Sequence, residues 1–180
     1  MRVRRNVPTA SPLLSEPIEM TPLPAIAGFA GLYERHYEAV FRAALRVTGR
    51  PADAEDVLQT VFLRVLSQRD QDDVAVRPAA YFRRAAVNAA VDLLRRRAVT
   101  AETAYDDGAP HAAVESSLFL KEQLRRAIAS LDTEDATLFL LRYVEGLSNQ
   151  ELADEFDLEK NNVAVRLHRI RQRLQQEMER

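Results

Sequence analysis

Apolar residues return every three or four positions from Phe29 to Leu94, lapse, and return with the same spacing from Leu118 to Leu174. That period marks helices with one buried face; a half-buried strand needs alternation by two, and no segment shows it with conviction. The lapse, residues 98–116, holds four acidic and no basic side chains and the breaker cluster Asp107-Gly108-Ala109-Pro110. It reads as an acidic interdomain linker of 19 residues, reaching roughly 65 Å at most when extended. Residues 1–28 hold five of the eight prolines, a spacing no helical face survives, so they read as a disordered arm. The expected fold is therefore all-α: two small helical domains, 29–97 and 117–180, joined by a flexible linker.

Composition removes most chemistries. There is no Cys, and the three His stand far apart at 36, 111 and 168, so neither a disulfide nor a metal site is expected. Five Gly leave no room for a glycine-rich phosphate loop. No cofactor is expected. No nucleophile–base pair stands out, which argues against an enzyme. There is no run of 18 apolar residues for membrane insertion. The net charge of −2 conceals a pattern. Residues 29–97 carry 12 basic and 9 acidic groups, and the positive charge gathers at Arg95-Arg96-Arg97 and between Lys160 and Arg173, where five basic and no acidic residues occur. Such a chain should bind free DNA poorly and need a partner.

The first unit reads as three helices. Gly49 ends the first and Pro51 starts the second, whose apolar face is Val57, Leu58, Val61, Phe62, Val65 and Leu66. Pro78 opens the third, which runs out at the arginine triplet. In the second unit, Asp132 is a candidate N-cap and Ser148-Asn149-Gln150-Glu151 a capping box. A short helix at 149–156, a turn at 157–159 and a longer basic helix then form a helix-turn-helix. Leu152, Ala153 and Phe156 face Val163, Leu167 and Ile170, leaving Lys160, Asn161, Asn162, Val165, Arg166, His168, Arg169 and Arg173 outside. Arg and Asn can grip phosphate and read guanine and adenine edges. An ordinary helical hairpin with a solvated charged face gives the same spacing; charge of one sign over 14 residues favours DNA.

Three blocks carry a resemblance. DAEDVLQTVFLR (53–64), YFRRAAVNAAVDLLRRR (81–97) and LRYVEGLSNQELA (141–153) with 163–174 are similar, in order, to the conserved blocks of bacterial extracytoplasmic-function (ECF) sigma factors. The resemblance spans about residues 29–177. It implies a cytoplasmic, dissociable initiation subunit that binds core RNA polymerase on the clamp of the largest subunit and the flap of the second. It also implies promoter DNA as a partner, and an anti-sigma factor as a further one. Asp53, Asp56, Gln59, Phe62 and Arg64 would bind polymerase. Arg83, Arg84, Asn88, Arg95, Arg96 and Arg97 would contact the minus-ten element, with a flipped base held in the loop 67–77. The outer face of the basic helix would read minus thirty-five. Several positions depart from the family pattern: Val65-Leu66 replace a Trp, Val87 an Arg, Asp132 a Pro and Asp157 a Gly. Such changes bear on promoter sequence rather than on class. An autonomous helix-turn-helix regulator is the alternative, and it would have no use for the 53–64 block.

Overall fold

The computed structural model describes residues 24–67, 74, 77–103 and 114–179. Among these there are seven helices and no strand. The first unit comprises α1 (Pro24–Thr48), α2 (Pro51–Leu66) and α3 (Pro78–Thr103). The second comprises α4 (Val114–Ser130), α5 (Thr133–Tyr143), α6 (Asn149–Phe156) and α7 (Lys160–Met178).

Two boundaries differ from the sequence reading. Helix α1 begins at Pro24, inside the expected arm, because a proline at the first helical position loses no hydrogen bond. Helix α3 runs past Arg97 to Thr103 and α4 opens at Val114, so both ends of the expected linker are helical. Nothing from Ala98 to Thr103 breaks a helix. The rest of the arm, the centre of the linker and most of the loop after Ser67 lie outside the described residues.

Helix α3 is the axis of the molecule. It packs on α1 and α2 along one side and on α4 and α5 along the other. Ala86, Val87, Ala90 and Val91 are completely buried along it, and alanine at such positions lets helices approach closely. The two units contribute to one continuous core. Phe82, 1% exposed, lies at the junction of the first three helices. Its ring stacks on His36 of α1 at 4.6 Å and meets Phe62 of α2 at 5.1 Å. Phe82 is core, as its apolar setting suggests.

The helix ends of the second unit follow local chemistry. Asp132 caps α5 by accepting from the Asp135 N–H at 2.9 Å. Ser148 and Glu151 form the full capping box at α6, and the Ser148 bond holds the Glu151 carboxyl below its ordinary range. Asp157 takes the left-handed conformation, φ 53°, and turns the chain into α7. Asp tolerates that region better than most residues because its side chain bonds locally.

His36 gives a pH-dependent term. Burial first, and then the charge of Arg35, hold its pKa below the ordinary 6.5. The unfolded chain therefore takes up the proton at higher pH than the folded one, and stability falls as pH drops through about 6.5. Thermal unfolding from pH 7.5 to 5.5 is expected to shift less in His36→Gln than in the parent. Identical slopes in the two proteins would refute the assignment.

Candidate functional site

Helix α2 divides into two faces. Val57, Val61 and Val65 point inward. Asp56, Gln59 and Arg64 are exposed, as expected, and Leu63 is 62% and Leu66 46% exposed beside them. Two expected members of this surface are elsewhere. Asp53 is 1% exposed and ion-paired to Arg97 of α3, with Oδ2 left without a partner. Its place three residues into the helix turns it toward Arg97 of α3 rather than toward solvent. Phe62 is 4% exposed and wedged among Phe29, Tyr33 and Phe82. Leu66, read as core from its period, belongs to the outer face with Leu63, which the sequence reading missed. The available signal was two leucines beyond the valine stripe that buries the helix. Exposed apolar residues set among polar ones suit a protein partner.

The polar face of α3 is not open to solvent in this arrangement. The Arg83 guanidinium meets Glu155 at 2.9 Å. That of Arg84 lies 4.5 Å over the Phe156 ring. Asn88 hydrogen-bonds with the Thr137 hydroxyl. Arg95 donates to the carbonyls of Ala129 and Leu131, at 3.2 and 2.5 Å, and to the Thr133 hydroxyl. Four of the six residues expected to touch the minus-ten element thus hold α5, α6 and the end of α4. Arg96 is exposed, and Arg97 holds Asp53. The contact is incompletely satisfied: Arg83 Nε and Glu155 Oε1 are both buried without partners, which costs stability while the units stay docked. A cleft of about 690 Å³ opens beside it, lined by Arg64, Arg77, Arg83 and Arg84 against Glu151, Asp154 and Glu155.

Helix α7 has one buried and one exposed face. Val163, Leu167 and Ile170 are buried, as is Leu174. Lys160, Asn161, Asn162, Val165, His168, Arg169 and Arg173 are exposed, Val165 by 50%. Arg166 is the exception. Its Nε binds Asp135 Oδ1 at 2.5 Å and its Nη2 binds Glu134 Oε2 at 2.7 Å. Burial alone would lower its pKa, but these bonds outweigh burial and raise it. Arg173 reaches Asp135 and Asp132 at 3.3 and 3.8 Å. Burial likewise pushes the Asp132 carboxyl up, and the Asp135 N–H with the Arg166 charge more than reverses it. The carboxylates at the start of α5 therefore neutralise two cations of α7. The sequence reading took Asp132 only as a cap.

Among the described residues, no group of three or more His, Cys, Asp or Glu is placed to hold a metal ion. No described helix is long and apolar enough to cross a membrane.

A two-unit helical protein with an exposed basic helix-turn-helix is thus defined by its geometry. Family models agree with it: Sigma-70 region 2 matches residues 32–100 and Sigma-70, region 4 matches 121–174. The sigma factor CarQ of Myxococcus xanthus is 30% identical over 152 residues, covering 82% of this chain and 87% of that protein. The ECF sigma factor SigL of Mycobacterium tuberculosis H37Rv is 31% identical over 144 residues, covering 76% and 81%. SigW of Bacillus subtilis is 25% identical over 166 residues, covering 83% and 88%. The chain belongs to the ECF family of RNA polymerase sigma factors.

Proposed function

We propose that this chain directs promoter-specific initiation by binding core RNA polymerase through the outer face of α2 and reading promoter DNA with α3 and α7. Asp56, Gln59, Leu63, Arg64 and Leu66 form the polymerase-facing patch, on the clamp of the largest subunit, and the second unit lies at the flap of the second. Arg83, Arg84, Asn88, Arg95, Arg96 and Arg97 take the minus-ten element. Lys160, Asn161, Asn162, Val165, Arg166, His168, Arg169 and Arg173 take minus thirty-five. The chain supplies no catalytic group; its work is binding and melting. The observation that carries this reading is the pairing, in one chain of this family, of an exposed leucine-bearing α2 face with an exposed basic α7.

Promoter use on this scheme requires the two units to part, because α3 cannot grip phosphate while it grips α5 and α6. The two elements lie about 25 base pairs apart, roughly 85 Å at ~3.4 Å each. Polymerase binding offers α2 and the second unit separate sites, and the unpartnered Arg83 Nε and Glu155 Oε1 regain partners on opening. An anti-sigma factor would act on the same equilibrium.

The deciding experiment is a titration of the purified chain with bacterial core RNA polymerase, checked by co-elution. Tight one-to-one binding is expected. A folded chain that does not bind core would overturn the proposal in favour of an independent helix-turn-helix regulator. That second reading has one observation on its side: α7 stays exposed while the α3 face is covered.

Arg169→Ala and Arg166→Ala are each expected to weaken transcription from a mapped promoter by about 1–3 kcal/mol. Arg169 should give the larger loss, because Arg166 must first leave Asp135 and Glu134. The opposite order in an in vitro transcription assay would show that those carboxylates do not restrain Arg166.

A further inference from the structure

Five arginines converge on a cleft of about 500 Å³ between the two units. Arg50 comes from the corner of α1 and α2, Arg96 and Arg97 from α3, and Arg125 and Arg126 from α4. Glu122 is the one carboxylate that lines it. The larger cleft near Arg83 sets four arginines against three acids, so this excess is particular to its place. It also occurs in a chain whose net charge is −2.

Three of these arginines have a carboxylate partner and two do not. Arg125 Nε donates to the Val47 carbonyl at 3.3 Å. Its guanidinium lies over Gly49, where φ is +71° and a Cβ would meet Nη2 at 1.9 Å. Glycine is thus needed both for the turn and for the approach of Arg125. Glu122 is shared between Arg125 and Arg126, at 3.6 and 4.0 Å. Arg97 is engaged with Asp53. Neither Arg50 nor Arg96 has a carboxylate partner among the described residues. Cations brought together at this density repel one another unless an anion joins them.

We propose that this cleft binds a small linear polyphosphate, inorganic or the polyphosphate end of a nucleotide, and that the bound anion holds the two units together. Guanidinium forks match phosphate oxygens two at a time. The volume is that of a small-ligand site, and a double helix cannot enter it. Because three arginines come from one unit and two from the other, the site is complete only when the units are docked. A ligand that binds only the docked form shifts the equilibrium toward it. The anion would thereby compete with use of Arg96 and Arg97 on DNA.

The test needs neither polymerase nor promoter, so its result is independent of the initiation reading. Calorimetric titration of the full chain with sodium tripolyphosphate at low salt is expected to show one saturable site. Sodium sulfate at matched ionic strength is expected to show none. Arg50→Gln/Arg125→Gln/Arg126→Gln is expected to weaken binding about a hundredfold, since three of the five charge-assisted contacts go. Should that variant fail to fold by circular dichroism, the triple Lys variant keeps the charge and loses the forks, and is expected to bind about tenfold more weakly. The chain lacks Cys, so dyes on Glu38→Cys and Gln172→Cys report the separation of the units, which tripolyphosphate should narrow to the single distance of the docked form. A nucleoside triphosphate that outcompetes tripolyphosphate would identify the nucleotide as the source; the reverse would favour the inorganic chain. The proposal is overturned by no saturable binding, by equal affinity in a folded triple variant, by sulfate binding as tightly, or by an unchanged dye distance at saturation. It is equally overturned if the triple variant loses affinity for a short DNA duplex but keeps tripolyphosphate.

Discussion

Phe82→Ala is expected to destabilise the protein by about 3–5 kcal/mol. The side chain is 1% exposed and touches a ring on each of α1 and α2. Ala85 and Ala86, one turn further along α3, are too short to fill the space it leaves. A domain of this size has about 5–15 kcal/mol in total, so a substantial unfolded fraction is expected at growth temperature. Phe82→Leu keeps most of the volume and is expected to cost about 1–1.5 kcal/mol. Urea unfolding followed by far-ultraviolet circular dichroism measures both. If the alanine variant unfolds at the parent midpoint, the three-helix junction does not carry the first unit.

What was legible in the sequence was whatever depends on near neighbours. Ser148 and Glu151 stand three residues apart, and their bonds are made within one turn. The cap at Asp132 and the left-handed turn at Asp157 are equally local. The inner face of α7 follows from the period alone, because Val163, Leu167, Ile170 and Leu174 have only one core to enter. The failures involve distant partners. The resemblance puts Asp53 on the polymerase-binding surface, but its ion pair is with Arg97, 44 residues away. Phe62 falls on the apolar face by its period and is buried against Phe82, so only the resemblance puts it on the polymerase surface. The polar residues of α3, Arg83, Arg84, Asn88 and Arg95, lie on one side of the helix. Periodicity cannot say whether such a face meets water, DNA or another polar surface, and here it meets Glu155, Thr137 and the carbonyls that end α4.

Leu63→Asp is expected to reduce affinity for core polymerase by about a hundredfold, close to 3 kcal/mol. At 62% exposure the side chain supports no core of its own, so circular dichroism and thermal unfolding should match the parent. The loss is expected to be large because Leu63 and Leu66 are the apolar centre of a patch otherwise made of Asp56, Gln59 and Arg64. Truncating a central apolar residue and placing a charge there removes contact and adds desolvation. Charge reversal at Asp56 should cost less and depend on salt, as exposed rim charges do. Phe62→Asp would abolish binding too, but by unfolding the ring cluster, and the thermal scan separates the two causes. Parent-like affinity in a folded Leu63→Asp protein would move the docking surface off α2. The next candidate would be the stacked pair Tyr33 and Tyr37 on α1, whose rings lie 5.6 Å apart and are 39% and 45% exposed.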